Sequence, residues 1–121
     1  MKFTIERATL LKTLSHVQSI VEKRNTIPVL SNVRIEATEA DINFKATDMD
    51  TEITEIADAK VSQTGATTAP AHMLYDIVRK LSDGSDVEIT FPDDKGQLTI
   101  ASGRSKFSLS TIGVEDFPVI S

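Results

Sequence analysis

The sequence predicts an α+β fold built from a β-α-β-β-β unit used twice. Two short stretches carry apolar residues at helical spacing, and most of the remaining chain alternates polar and apolar residues with a period of two. Turn residues recur at matching intervals, since Val33 to Asp48 and Val87 to Gly103 cover nearly equal spans. The expected architecture has antiparallel strands on one side and both helices on the other.

The first unit begins with an alternating strand at Lys2–Glu6, followed by an amphipathic helix from about Arg7 to Glu22. Pro28 prevents continuation of this helix, because proline disfavours helical geometry at its own position and just before it. The apolar stripe of the helix consists of Leu10, Leu14, Val17 and Val21. Three strands are predicted next, at Val29–Thr38, Asp41–Thr47 and Thr51–Lys60.

The second unit follows Gln63-Thr64-Gly65 and begins with a short strand at Ala66–Ala69. Pro70 is well placed to open a helix over Ala71–Leu81, which Ser82-Asp83-Gly84-Ser85 ends. Its apolar stripe consists of Leu74, Ile77, Val78 and Leu81. Strands are predicted at Asp86–Phe91, Gln97–Ser102 and Lys106–Ile112.

Length and composition indicate one ordinary globular domain. The chain has 121 residues, of which 40% are hydrophobic and 26% charged, and it contains no cysteine, which excludes disulfides and thiolate chemistry. Residues Met1–Glu6 contain no signal-like apolar run and no stretch is long enough to span a bilayer, so we expect a cytoplasmic protein. The apolar ending Phe117–Ser121 lacks capping or turn chemistry, which leads us to expect a fragment of a longer protein.

Acids and bases are sorted by predicted secondary structure. The helical stretches Glu6–Arg24 and Ala71–Leu81 carry six bases and three acids, whereas the rest of the chain carries seven bases and fifteen acids. The overall charge is −5, and an acidic chain would ordinarily be a poor ligand for nucleic acid. Segregation of the charge removes that objection, because a basic helix layer could face a polyanion while the acidic strands face solvent.

The exposed helix faces are the first candidate site. The first helix presents Ala8, Lys12, Ser15, His16, Ser19 and Lys23, and the second presents His72, Asp76, Arg79 and Lys80. One interpretation is a solvated surface with unmatched bases, and the other is weak, sequence-independent contact with phosphates. Lys23 and Arg24 after the first helix also have two explanations, namely a favourable interaction with the helix dipole and a loop that reaches a phosphate.

The second candidate is the late strand Arg104–Ser110, which places bases and apolar residues on alternate faces. Phe107 and Leu109 are more often core residues than contact residues. If the strand lies at a sheet edge, however, its unpaired backbone groups and its bases could form an assembly surface.

Other patterns give no catalytic or metal site. Asp48, Asp50 and Glu52 lack the spacing of a calcium loop, so we interpret them as an acidic turn. His16 and His72 have no matching ligand spacing or neighbouring nucleophile, and the isolated glycines form no phosphate-binding loop. We therefore expect neither an enzyme nor a cofactor.

Several blocks of the sequence resemble the bacterial DNA polymerase III β subunit, the replicative sliding clamp. The similarity runs from Met1 to the end and covers the first of three similar domains in that family. The blocks are Met1–Arg7, Leu10–Lys12, Arg24–Asn32, Gly65–Ala71 and Ser102–Thr111.

The resemblance implies the DNA clamp fold, a head-to-tail ring of two subunits whose helices surround duplex DNA and whose sheets form the outer wall. It implies a non-catalytic processivity factor that tethers the polymerase, with the polymerase and the clamp loader as partners. The groove for their peptide motifs is expected in the second and third domains.

The resemblance also implies roles for individual residues. Arg24 matches a DNA-contacting arginine, and we add Lys12, Lys23 and Arg79 as phosphate contacts. His72, a mostly neutral imidazole, stands where family members have another DNA-contacting base. The subunit interface is expected to include Met73, which replaces a frequent lysine, together with Arg104, Lys106, Phe107 and Leu109.

Two other functions stay open from the residues alone. The chain could be a free-standing protein-interaction domain that uses its edge strand, with the helix charge incidental. A small enzyme is the third alternative, and the missing site chemistry argues against it. Two further domains of similar pattern beyond Ser121 would favour the clamp.

Overall fold

A computed structural model describes residues 1–22, 27–92 and 96–118. Within these ranges the chain forms two α-helices and nine β-strands, one strand more than the eight that the sequence predicts, and the predicted elements follow in the predicted order. The helices are α1 (Arg7–Val17) and α2 (Ala71–Arg79). The strands are β1 (Lys2–Glu6), β2 (Asn32–Ala37), β3 (Asp41–Thr47), β4 (Glu52–Asp58), β5 (Lys60–Gln63), β6 (Gly65–Pro70), β7 (Asp86–Thr90), β8 (Gln97–Ser102) and β9 (Ser105–Ser110).

The strands form two antiparallel sheets, and each repeat unit contributes to both. The first sheet has the order β5-β1-β7-β8-β9, and the second has the order β4-β3-β2-β6. The opening strand of each unit therefore pairs with the three-strand meander of the other unit. Phe3 of β1 lies opposite Ile89 of β7, and Ile35 of β2 lies opposite Thr67 of β6. This exchange of strands joins the two repeats into one domain. The predicted α+β fold class is confirmed.

The chain after each meander crosses to the other sheet. The predicted strand Thr51–Lys60 is in fact two strands, because β4 ends at Asp58 and β5 begins at Lys60 on the edge of the other sheet. Val61 of β5 lies opposite Phe3 and packs against the core. In the second unit the corresponding segment after β9 reaches β6, where Ile112 forms a single bridge with Thr68.

Helix α1 is shorter than predicted and ends at Val17, with a 3-10 turn over Gln18–Ile20. Polar side chains bind the carbonyl groups near this end. Ser19 Oγ donates to the His16 carbonyl at 2.6 Å, and Gln18 Nε2 donates to the Ser15 carbonyl at 3.4 Å. Side-chain donors of this kind compete with continuation of the α-helix. Helix α2 also ends before its predicted limit at Leu81.

Other strand limits also differ from the predictions. A 3-10 turn over Pro28–Ser31 replaces the start of the predicted strand Val29–Thr38, as expected where proline fixes the backbone before the first paired residue. Strand β9 ends at Ser110 rather than Ile112. Its two-residue turn to β8 contains Gly103 with a φ of 57°, a conformation that glycine adopts without strain.

The core lies between the helices and the sheets. Helix α1 packs against α2 and across β3 and β4, while α2 packs on β2 and β6. The apolar stripes of both helices face this core. Seven of their eight predicted members are buried, and Ile77 is partly buried. Among the described residues, no helix combines the length and the apolar character needed to cross a bilayer.

Candidate nucleic-acid interface and edge-strand surface

Arg7 joins the two helices, a role that the sequence did not reveal. Its Nε donates to the Val78 carbonyl at 3.1 Å, and its Nη2 donates to the Arg79 carbonyl at 2.8 Å. Its Nη1 lies 2.6 Å from Asp83 Oδ1. The side chain is only 12% exposed. The guanidinium therefore stabilises the carbonyl end of α2 and is not available to an external phosphate.

His72 forms a second connection between the helices. Its Nε2 lies 2.5 Å from the Val21 carbonyl oxygen, in the segment that follows α1. Because a carbonyl oxygen only accepts hydrogen bonds, Nε2 carries the proton in this arrangement. The side chain is half-buried at the start of α2. One nitrogen of this imidazole is therefore already occupied, and its contact with DNA stays a prediction.

Among the described residues of the helix layer, three lysine or arginine side chains remain exposed. Lys12 lies on α1, and Arg79 and Lys80 lie at the end of α2. Arg79 is partly engaged, because Nη2 is 3.2 Å from Asp76 Oδ1 and its guanidinium carbon is 5.7 Å from the centre of the Tyr75 ring. Lys12 and Lys80 form no ion pair with the described residues. The predicted contacts Lys23 and Arg24 lie outside the described residues.

The separation of charge between helices and strands is incomplete. Glu55 of β4 lies opposite Phe44, whose side chain is in the core, so the Glu55 side chain is on the helix-facing side of the sheet. Its Oε1 is 2.7 Å from Nδ1 of His16 on α1. The expectation that carboxylates occupy the outer surface is therefore wrong for Glu55.

Strand β9 is at the edge of its sheet, as the sequence suggested for this strand. Arg104 and Lys106 are exposed, and Phe107 is 38% exposed, so Phe107 departs from the core interpretation. Leu109 fits that interpretation, because it lies opposite Leu98 and is 5% exposed. Met73, on α2, is 53% exposed. The structure thus places one of the two predicted apolar contact residues of β9 at the surface.

The acidic turn between β3 and β4 has a local explanation. Asp48 Oδ1 accepts hydrogen bonds from the backbone N–H of Asp50 at 3.0 Å and of Thr51 at 2.7 Å. These bonds fix the turn, in which Met49 has a φ of 79°. Among the described residues, no group of three acidic or histidine side chains is arranged to hold a metal ion.

Two of these features had some signal in the sequence. Arg7 occupies the first turn of α1, where a positive charge opposes the helix dipole, so a base at this position is expected to have a partner elsewhere. His16 was assigned to the exposed helix face, and the structure confirms its exposure. Its partner Glu55 lies 39 residues away, and only the packing of β4 on α1 brings the two together.

The fold and the comparisons with known proteins indicate the same class of protein, the sliding clamps. A duplicated β-α-β-β-β domain with two helices under two sheets is the architecture of sliding-clamp domains. A crystal structure of the DNA polymerase sliding clamp from Caulobacter crescentus matches the whole chain with a TM-score of 0.97 and 54% identity, and 33% of that clamp is covered. A sliding clamp from Bartonella birtlesii bound to griselimycin matches with a TM-score of 0.94 and 41% identity, over 100% of this chain and 32% of that clamp.

The family model for the N-terminal domain of the DNA polymerase III beta subunit matches residues 1–121, and the chain belongs to this family. The beta sliding clamp of Caulobacter vibrioides is 54% identical over the whole chain, and that of Escherichia coli K12 is 36% identical over 98% of it. The chain spans about a third of the length of these relatives, 32% in both cases.

Proposed function

We propose that this chain is the first domain of a three-domain sliding clamp, a ring that encircles duplex DNA and tethers the replicative polymerase during replication. The observation that carries this proposal is the match of the complete chain to one third of a solved clamp at a TM-score of 0.97. A backbone that follows that of a solved clamp over the whole length of the chain supports the same role for this domain.

In this proposal the helix layer faces the DNA. Exposed Lys12, Arg79 and Lys80 supply diffuse attraction to phosphates, together with the predicted contacts Lys23, Arg24 and His72. Contacts of this kind are independent of base sequence and individually weak, which allows the ring to slide along the duplex. Replacement of Arg24 by alanine in the complete ring is expected to lower the salt slope of DNA binding by about 1.

The edge strand β9 provides one half of the contact between subunits in this proposal. Phe107 is its exposed apolar contact and Arg104 and Lys106 are its flanking bases, while Leu109 lies buried opposite Leu98. Met73 on α2 adds an exposed apolar side chain to the same proposed surface. We expect Phe107→Ala in the complete protein to loosen the dimer, since aromatic side chains contribute strongly to interfaces.

The proposed role is mechanical rather than catalytic and needs no cofactor. Its partners are double-stranded DNA, a second subunit, the polymerase and the clamp loader, and its location is the bacterial cytoplasm. Sites for short peptide motifs of the polymerase and loader belong to the other two domains.

A chimeric clamp tests this function. The first domain of the Caulobacter vibrioides clamp is replaced by this chain, and the chimera is loaded on a nicked circular plasmid by the Caulobacter clamp loader. We expect retention on the circle and loss after the plasmid is cut once, because a topological link ends where the DNA ends. The unaltered Caulobacter clamp is the control. Equal loss from circular and linear DNA by a folded chimera would favour the edge-strand interaction domain instead.

A further inference from the structure

His72 is a predicted DNA contact whose side chain already has a partner inside the fold. Its Nε2 donates a hydrogen bond to the Val21 carbonyl at 2.5 Å, whereas its Nδ1 has no hydrogen-bond partner among the described residues. In that part of the chain, the buried side-chain nitrogen and oxygen atoms without a partner belong to Asn43 and Thr67. Nδ1 of His72 is therefore not buried, and it is open to solvent and to a ligand.

The proton on Nε2 determines what Nδ1 can bind. A neutral imidazole carries a single N–H, and in His72 the Val21 carbonyl keeps it on Nε2, so Nδ1 has a lone pair and accepts hydrogen bonds only. A DNA phosphate is also only an acceptor, so neutral His72 offers it no hydrogen bond. When the ring takes up a proton from water, Nδ1 becomes a donor, while Nε2 keeps its bond to Val21. A phosphate contact thus requires the charged ring and leaves the connection between the helices intact.

Charged groups near His72 act on the added proton in opposite directions. His72 is the second residue of α2, where the positive end of the helix dipole disfavours a cation. Asp76 lies one turn further along α2 and favours the cation, but this carboxylate is already paired with Arg79 at 3.2 Å. Glu22 follows Val21, is exposed and forms no ion pair with the described residues. A bound phosphate adds a negative charge beside the ring, which stabilises the cation further.

The other elements that pack on α2 contribute little charge at its start. Strand β6 and the 3-10 turn Gln18–Ile20 contain no charged residue. The two charged residues of β2 alternate with its buried residues and are on the outer side of the sheet. On α1, Arg7 is bound at the far end of α2, His16 is paired with Glu55, and Lys12 is exposed. The charge of the imidazole therefore depends strongly on what binds at Nδ1.

We propose that His72 couples the uptake of a proton to the binding of duplex DNA, so that the clamp holds DNA more tightly as the pH falls. This inference rests on the proposed function, because it assigns the regulation of one predicted phosphate contact. Histidine is the side chain that ordinarily changes its charge between about pH 5 and about pH 8. A phosphate that binds the charged ring raises the fraction of charged rings, and by reciprocity a lower pH raises the affinity for the phosphate. Each copy of the domain takes up at most one proton in this way.

Affinity measured against pH tests this coupling in the complete clamp. The ligand is a short, fluorescently labelled linear duplex, and the ionic strength is kept the same from about pH 8 to about pH 6. His72→Gln keeps an N–H for the Val21 carbonyl but takes up no proton. Because other groups in the ring also respond to pH, the expected result is a difference between two proteins. The native clamp should gain about fivefold more affinity than His72→Gln over this range.

Two further variants separate the charge of this side chain from general effects of pH. His72→Lys carries a charge over the whole range, so its pH profile should run parallel to that of His72→Gln at a higher affinity, and it gives a second reference for the native clamp. His16→Gln is the matched control, because it removes the other histidine of the chain, whose Nδ1 is occupied by Glu55 at 2.7 Å. This control should show the native gain in affinity when the pH is lowered.

Isothermal titration calorimetry in two buffers with different enthalpies of ionisation counts the protons directly. At about pH 7 the native clamp should take up more protons on binding the duplex than His72→Gln, by up to one for each copy of the domain. A residue that only joins the helices would change stability but not this number. Equal proton uptake and equal pH profiles for the native clamp and His72→Gln would overturn this inference alone. A native clamp that binds the duplex at no pH in the range would overturn the proposed function, and this inference with it.

Discussion

Thr67 and Thr68 are neighbours in β6 with opposite surroundings. Thr67 lies opposite Ile35 on the core side, and its buried hydroxyl has no hydrogen-bond partner among the described residues. Thr68 lies opposite Arg34 on the other side. Its hydroxyl donates to the Ile112 carbonyl at 2.6 Å and accepts from Asn32 Nδ2 at 3.0 Å. The threonine hydroxyl therefore lowers the stability of the fold at position 67, where it is buried and unpaired, and raises it at position 68, where it forms two hydrogen bonds.

Valine at these two positions should have opposite effects on stability. Thr67→Val replaces an unpaired hydroxyl by a methyl group of similar shape, and we expect the free energy of unfolding to rise by about 1 kcal/mol. Thr68→Val leaves the Asn32 amide without this acceptor and removes the hydroxyl from the Ile112 carbonyl, which keeps the Thr68 backbone N–H at 3.3 Å. We expect a loss of about 1–3 kcal/mol. Urea denaturation at equilibrium measures both. Destabilisation by Thr67→Val as large as that by Thr68→Val would contradict this interpretation.

At the scale of elements, the position of α1 relative to α2 depends on polar contacts at both ends of the helix pair. Arg7, at the start of α1, binds carbonyl groups near the end of α2. His72, at the start of α2, binds the Val21 carbonyl beyond the end of α1. Apolar stripes alone would allow the helices to shift along each other. These two contacts fix their relative position, and with it the spacing of Lys12 and Lys80 on the exposed surface.

Removal of Arg7 should therefore destabilise the domain. We expect Arg7→Ala to lower the free energy of unfolding by about 2 kcal/mol, because charged hydrogen bonds to two carbonyl groups are lost, a partly buried one to Val78 and an exposed one to Arg79. Arg7→Lys keeps the charge but not the planar donor group, and should recover less than half of the loss. Asp83→Ala is the matched control, since Asp83 is 96% exposed and its removal should have a much smaller effect. Urea denaturation measures both losses. Equal losses for Arg7→Ala and Asp83→Ala would show that the ion pair, and not the hydrogen bonds to the carbonyl groups, accounts for the contribution of Arg7 to stability.

At the scale of the whole molecule, the distribution of charge matters more than its sum. The chain has a charge of −5, yet its helix layer exposes Lys12, Arg79 and Lys80. A polyanion in front of the helices meets these bases first, and the acids of the outer strands are farther away and screened by salt. Position relative to the helices should thus decide which lysines contribute to DNA binding.

Single lysine substitutions in the chimeric clamp test this distribution. We expect Lys12→Ala and Lys80→Ala each to lower the slope of log K against log salt by about 1, because one phosphate contact is lost in each case. Lys60→Ala removes the same charge from the sheet edge strand β5 and should leave the slope unchanged. The measurement is a salt titration of the binding of the clamp to a short linear duplex, from which the ring can dissociate over the ends. A slope that falls equally for Lys60→Ala would indicate that net charge alone governs binding.

The repeating units were predictable because their signals are local. The stripe Leu10, Leu14 and Val17 indicates a helix, and alternation such as Ile42, Phe44 and Ala46 indicates a strand with one buried face, whatever the rest of the chain does. Strand β5 escaped prediction because it has only four residues and a single inward apolar side chain, Val61. Its existence depends on pairing with β1, far away in the sequence.

The sequence by itself determined the elements other than β5, the duplication and the sorting of bases onto the helices, because periodicity and charge depend on the order of residues along the chain. Only the tertiary structure decided which sheet each opening strand joins, that Arg7 serves α2 rather than a phosphate, and that Phe107 is exposed where Leu109 is buried. The strand pairing, the partners of Arg7 and the burial of these side chains depend on which segments, far apart in the sequence, pack against each other. Contacts between segments 70 or more residues apart, such as Arg7 with Val78, leave no periodic trace in the chain.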